Sequence, residues 1–296
     1  MLVRGILALT AVTTALAGYP RPAEMTGDYE VQDPSMVKTP EGTYIVAGTG
    51  SKIPIKTSTD RLHWTAAGDA FPDGLPADAL ARAGNKDAWA PDLSYVDGQY
   101  LMYYCVSQFG TQKSAIYLAT SSTGMPGSWT DKGLVVESVE GDPYNAYLTW
   151  GSYWDGIFIA TVEASTGMLV SKDKKDYTNL AKRPGAGVIE AAFLYETKDG
   201  FYLFTSWDVC CNGTSSNYNM RVVTSASLLG PYYDSEGKKA LDGAGTLLMD
   251  SHDDIYGPGG QSLLVDDDGV LLVYHHYTNE PSEPTKAMMG LNYLAL

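Results

Sequence analysis

Two carboxylates open apolar strands in widely separated parts of this chain. Asp33 stands in "VQDPSMVK" and Glu190 in "VIEAAFLY", each just ahead of a run with strand character. Two carboxyl groups presented across one pocket can do acid/base work: one, protonated, gives its proton to a leaving oxygen, and the other activates water or attacks. Glycoside hydrolysis requires such a pair. A solvated strand-end carboxylate is the competing reading for each residue alone, so the pair matters only if the elements carrying it face a common space.

Those elements repeat. "DPSMVKTPEGTYIVAGTG", "APDLSYVDGQYLMYYCVS", "EAAFLYETKDGFYLFTSWD" and "GPGGQSLLVDDDGVLLVYHHY" each hold two strands joined by an acidic-Gly turn, at Glu41-Gly42, Asp97-Gly98, Asp199-Gly200 and Asp268-Gly269. Third and fourth strands follow in most. The interval from Asp92 to Glu190 is much longer than that from Asp33 to Asp92, so a further unit lies between. Five four-stranded units predict an all-β, five-bladed β-propeller whose innermost strands line a central channel.

One unit begins halfway. In "GDPYNAYLTWGSYWDGIFIA", Tyr147 takes the place that follows the hairpin glycine elsewhere, and no apolar strand or acidic-Gly turn precedes it. The third blade is therefore expected to lack its innermost strand, leaving an unpaired edge and a gap beside the channel. A skipped exon or a natural deletion would each account for this.

Composition agrees with many short strands and tight turns in one domain: among 296 residues there are 21 Tyr, 31 Gly and 15 Pro, and 44% are hydrophobic. A formal charge of -15 without any basic run excludes nucleic acid as a partner. Met1–Ala17 has the layout of a secretory signal peptide, with Arg4, an apolar stretch too short for a membrane span, and a small-residue cleavage site. A secreted, extracellular domain over 18–296 is expected, with no membrane partner. Of three cysteines, Cys105 reads as a buried free thiol, whereas adjacent Cys210 and Cys211 allow either a vicinal disulfide or two thiols; no zinc spacing is present. Asn212-Gly213-Thr214 is a glycosylation sequon. Trp89, Trp150, Trp154 and Trp207 fall at corresponding strand ends, where flat rings suit sugar faces or fill blade interfaces.

The stretches "VQDPSMVK", "DAWAPDLSYVDGQYLMYYCVSQFGTQKSAIYLATSS", "YNA", "WGSYWDGI", "IEAAF", "DVCCNG" and "IYGPGGQS" resemble glycoside hydrolase family 43, and within it the secreted fungal endo-1,5-α-L-arabinanases. The resemblance runs from about Gln32 to Leu294. It implies a five-bladed propeller that cuts internal α-1,5 links of arabinan by an inverting mechanism, with Asp33 as general base and Glu190 as general acid. It also implies that Trp89, Asp92, Asn145, Trp150, Ser152 and Trp154 contact substrate. A third aspartate, which orients the acid and holds its pKa up, belongs to a "YNAIDPN" segment in the family. This chain reads "YNAYLTW" there, so activity is expected to be impaired, with Asp142 just upstream as the substitute candidate.

Many relatives carry a metal-binding histidine where this chain has Gly260-Gln261, so no cofactor is expected to be required and a channel metal remains an open possibility. His252, His275 and His276 read as satisfied structural histidines. The partner implied is arabinan or its oligosaccharides, bound by a monomer. The tail "MMGLNYLAL" stops where relatives continue into a ring-closing strand, so weak closure is expected. Exo-acting arabinosidase, β-xylosidase and a non-catalytic carbohydrate-binding propeller are the alternative functions.

Overall fold

The computed structural model describes residues 19–83, 88–108, 114–137, 151, 155–163, 165–171, 173–185, 187–279 and 285–296. Within them the first sheet contains β1 (Thr26–Gly27), β2 (Ser35–Lys38), β3 (Tyr44–Ala47), β4 (Pro54–Ser58) and β5 (His63–Asp69), in the order β1-β5-β4-β3-β2. A short helix, α1 (Ala77–Ala83), leads to the second sheet of β6 (Ala88–Val96), β7 (Gln99–Ser107), β8 (Ser114–Ser121) and β9 (Thr130–Glu137). Next come a two-stranded sheet, β10 (Ile157–Ile159) with β11 (Thr178–Ala181), and a four-stranded one of β12 (Ile189–Thr197), β13 (Gly200–Trp207), β14 (Asn219–Ser225) and β15 (Thr246–Met249). The last sheet holds β16 (Tyr256–Asp266), β17 (Gly269–Tyr277) and β18 (Met288–Leu294).

Strand neighbours in each sheet are antiparallel, apart from the β1–β5 pair, and follow chain order from the inside outward, which is the meander of a propeller blade. Turn chemistry sets the register. At Asp97-Gly98 both residues take positive φ, 50° and 81°, as a two-residue turn matched to strand twist demands, and Val96 pairs directly with Gln99.

Apolar side chains of adjacent blades then interdigitate. Ile45, Ala47 and Ile55 of the first blade pack with Tyr104, Val106 and Tyr117 of the second; Val46 and Met36 pack with Leu271, Val273 and Met289 of the last. Phe204 and Met220 meet Leu263, Leu272 and Tyr274 between the fourth and last sheets.

The innermost strands are stitched side by side by polar groups. Gln261 Nε2 donates to the Ala191 carbonyl at 2.6 Å, Ser262 Oγ to the Pro34 carbonyl at 2.8 Å, and the Leu93 N–H to Ser35 Oγ at 2.9 Å. These bonds run β12 to β16 to β2 to β6. Among the described residues no strand stands between β6 and β12. The architecture is thus an all-β propeller of four blades with a two-stranded sheet between the second and fourth, and the ring of innermost strands is not closed there. This corrects the expectation of five blades: among the described residues the third unit shows the β10–β11 pair and a bridge between Val162 and Leu169, and the place expected for its innermost strand, ahead of Tyr147, lies outside the described residues.

The first and last blades are joined by main chain. The N–H groups of Ala23 and Val31 donate to the carbonyls of Leu291 and Ala287, the Met289 N–H donates to the Tyr29 carbonyl, and Glu30 bridges Met288. The segment ahead of β2 therefore lies against the outer edge of β18, capping a strand edge that would otherwise be unpaired. The expectation of a weak seam at the tail did not anticipate this pairing, which rests on residues near the opposite end of the chain. Met1–Ala17 lies outside the described residues, and no described helix is long and apolar enough to cross a membrane.

Candidate active site

Backbone conformation builds the channel wall. Asp33, Ala90, Ala191 and Gly260 all take positive φ, at 49°, 43°, 50° and 60°, and each stands two residues before a ladder residue: Ser35, Asp92, Phe193 and Ser262. Register shifts precede that ladder residue in β6, β12 and β16, so each inner strand enters its blade through a bulge that re-aims the chain at the axis. These four positions are therefore equivalent by fold. The sequence repeats align differently, setting Glu190 against Asp33 and Gly257 against Ala90. By fold Glu190 is one residue earlier than Asp33's counterpart and shares its place with Gln32, Trp89 and Gly259. The bulges cause the offset, because an extra residue in a strand is invisible to residue-type matching.

Asp33 is held by three contacts from two neighbours. Its Oδ2 accepts from Thr49 Oγ1 at 2.6 Å, its Oδ1 lies 3.3 Å from His275 Nδ1, and its main-chain N–H lies 3.2 Å from the same nitrogen. Thr49 Oγ1 also accepts the Ala90 N–H at 2.8 Å, tying the first blade to the second. His275 is fully buried and stacks on Tyr218, with ring centroids 5.9 Å apart. Opposite it in the ladder is Gly259, and a side chain there would strike the Tyr218 ring. At Gly260 a Cβ would come within 2.6 Å of both Asp33 Oδ1 and His275 Nδ1. The two glycines make room for the Tyr218 ring, the Asp33 carboxylate and the His275 imidazole.

Glu190 pairs with Ser206 across the β12–β13 ladder. The buried Tyr218 hydroxyl lies near Ser206 and Glu190, and burial first, then the charges of Glu190 and Asp33, raise its pKa well above the ordinary tyrosine value. Ser206 Oγ in turn donates to Gln261 Oε1 at 2.6 Å and accepts the Gly260 N–H at 3.0 Å. Asp33, His275, Tyr218 and Glu190 thus form one continuous line of contacts. The charges of both carboxylates singled out by sequence act on the same buried tyrosine.

The remaining candidates divide. Trp89 is half-buried at the channel end of β6, in the place that Glu190 holds in the fourth blade. Asp92 Oδ1 lies 3.5 Å from Ser35 Oγ of the neighbouring blade, and burial pushes its carboxyl up to about 6. Trp207 is buried between the guanidinium groups of Arg183 and Arg221, 4.3 and 4.8 Å from its ring, which makes it blade filler. Asn212 is exposed on the β13–β14 loop, so the sequon is at the surface. Asp142, Asn145, Trp150, Ser152 and Trp154 lie outside the described residues.

Cys210 and Cys211 are joined as a vicinal disulfide. Cys105 is the free thiol, next to Ser107 and Ser114, with burial raising its pKa. No group of three His, Cys, Asp or Glu among the described residues could hold a metal ion. At Gly260 the space a side chain would fill is taken by Asp33 and His275, so the residues present there do not fit a channel metal, and no step below uses one.

Sequence reasoning missed Thr49, Ser206, Tyr218 and the role of His275. For His275 a signal existed: strand alternation in "VYHHY" must turn one histidine to each side, and the side facing two consecutive glycines is the channel. His276 faces the other way into the core, where burial lowers its pKa to about 4. Nothing local marks Thr49 or Tyr218.

A propeller that carries Asp33 and Glu190 at its innermost strands fits a glycoside hydrolase. The family model for glycosyl hydrolases family 43 matches residues 26–292, and the chain belongs to that family. Over 94% of its length it is 37% identical to the probable arabinan endo-1,5-alpha-L-arabinosidase A of Aspergillus flavus, covering 92% of that protein. It is 36% identical over 93% of its length to the arabinan endo-1,5-alpha-L-arabinosidase A of Aspergillus niger, covering 90% of it. Its fold matches the family 43 endo-arabinanase of Bacillus licheniformis with a TM-score of 0.83 at 32% identity, covering 92% of this chain and 96% of that one. The Cellvibrio cellulosa alpha-L-arabinanase complexed with arabinohexaose superposes with a TM-score of 0.83 at 29% identity, with 90% and 92% covered.

Proposed function

We propose that this chain is an arabinan endo-1,5-α-L-arabinosidase, a secreted hydrolase acting on internal α-1,5 links of arabinan outside the cell. The observation that carries the catalytic assignment is the line of contacts from Asp33 through His275 and Tyr218 to Glu190. Asp33 takes a proton from water, whose oxygen bonds to the anomeric carbon as the glycosidic C–O bond breaks. Glu190 gives its proton to the departing oxygen. Attack opposite the leaving group inverts the anomeric centre.

Thr49 and His275 hold Asp33 with its two oxygens on separate partners, so that its position is set before substrate arrives. Tyr218, kept neutral by burial, can donate its hydroxyl proton toward Glu190 or Ser206. The family's third aspartate has no counterpart, since its segment would lie where the chain runs from Ala146 directly to Tyr147. We read the enzyme as impaired for that reason alone, the segment that carries this aspartate in the family being absent from the sequence.

The test is release of reducing ends from linear α-1,5-arabinan by the folded chain, beside Asp33→Asn and Glu190→Gln. Cleavage that both substitutions abolish supports the assignment, and a ladder of oligosaccharides marks endo action where arabinose alone would mark exo. Binding of arabino-oligosaccharides without any turnover would instead identify a carbohydrate-binding propeller.

A further inference from the structure

We propose that the Cys210–Cys211 disulfide, with Val209, forms an apolar platform at the channel rim on which one arabinofuranosyl ring of the substrate rests next to Asp33. The inference rests on the arabinan reading and adds a binding element to it. Cys210 Sγ lies 3.8 Å from His275 Nε2, and the opposite ring nitrogen faces Asp33, so a single imidazole separates the sulfur from the base. Gln32, the residue before Asp33, donates from Nε2 to Cys211 Sγ at 2.9 Å. The disulfide therefore leans over the entry to the first inner strand. Its outer side is open: Cys211 is exposed and Val209 is 49% exposed.

Stability does not explain this cross-link. A disulfide stabilises mainly by closing a long loop in the unfolded chain, and one between adjacent residues closes none. Chemistry does explain it. Asp33 and Glu190, backed by the buried His275 and Tyr218, are polar and can address hydroxyl groups, but a furanose also presents a C–H face. Sugar-sized sites pair a few directed polar groups with apolar lining, and two polarisable sulfurs beside a valine supply that lining. The platform is also rigid. The Val209 N–H donates to Asn217 Oδ1 at 2.8 Å, the Asn212 N–H to Ser216 Oγ at 3.0 Å, and Ser215 and Ser216 close a tight turn onto Asn212 and Gly213.

Titration calorimetry with arabinohexaose tests this on the full chain, comparing the wild type with Val209→Ser and with the double variant Cys210→Ser/Cys211→Ser. Both variants should bind about fivefold more weakly, as expected for loss of part of an apolar contact, with circular dichroism unchanged. If the double variant does not fold, Val209→Ser, which keeps the disulfide, decides alone. Affinity equal to wild type in every folded variant overturns the platform while leaving the arabinan reading intact. A wild type that binds no arabinohexaose overturns both.

Discussion

Asp33 and His275 meet twice: the carboxylate Oδ1 lies 3.3 Å from Nδ1, and the main-chain N–H of the same aspartate lies 3.2 Å from that nitrogen. Both contacts cannot use Nδ1 in the same protonation state. When Nδ1 is bare it accepts the N–H, and when it is protonated it donates to the carboxylate. Replacing His275 by Gln, which can offer one donor or one acceptor there but cannot switch, should lower kcat about tenfold and shift the pH profile of kcat/KM. An unchanged pH profile would reduce His275 to packing.

Thr49 is predicted to position the base. Thr49→Val removes the 2.6 Å bond to Asp33 and leaves the exposed Ala90 N–H to water, at a stability cost of about 0.5–1.5 kcal/mol. Hydrolysis should slow through kcat with KM nearly unchanged. Thr49→Ser should restore most of the rate, and failure to do so would argue against the hydroxyl.

Gly260→Ala should be both unstable and inactive. At φ 60° an L side chain costs roughly 1 kcal/mol, and its Cβ would lie 2.6 Å from Asp33 Oδ1 and His275 Nδ1, displacing the base. Thermal unfolding and arabinan hydrolysis measured side by side would check it; full activity would show that the wall yields.

Restoring the family's aspartate-bearing segment between Ala146 and Tyr147 should raise turnover by at least about 100-fold, the scale of a correctly aimed general acid. Turnover equal to the unmodified chain would show that another group serves in its place.

Stability should depend on pH through two groups of opposite sign. His276 is lowered to about 4 by burial, so the unfolded chain takes up its proton first, and the stabilisation present above about pH 6.5 is lost on acidification toward 4, about 3 kcal/mol in all. Asp92 is raised to about 6, so its ionised form burdens the fold above that pH and acidification relieves it. Urea unfolding at pH 7 and pH 4.5 should show Asp92→Asn more stable than wild type at pH 7 and falling more steeply with acid. Equal slopes would remove Asp92 from the balance.

The residues themselves determined the sheets, the hairpin turns at acidic-Gly pairs, and the choice of Asp33 and Glu190. These depend on alternation and turn chemistry within one blade, which act over a few residues. Tertiary structure decided the rest. The bulges that set Glu190 one place out of step with Asp33 depend on pairing across strands. The open ring between β6 and β12 depends on which segments find partners. His275, 242 residues from Asp33, reaches the base only because the last blade docks beside the first. Convergence at a propeller axis joins residues that share no local pattern, so sequence could nominate the two carboxylates and the adjacent cysteines but not the hydroxyls of Thr49, Ser206 and Tyr218 gathered around them.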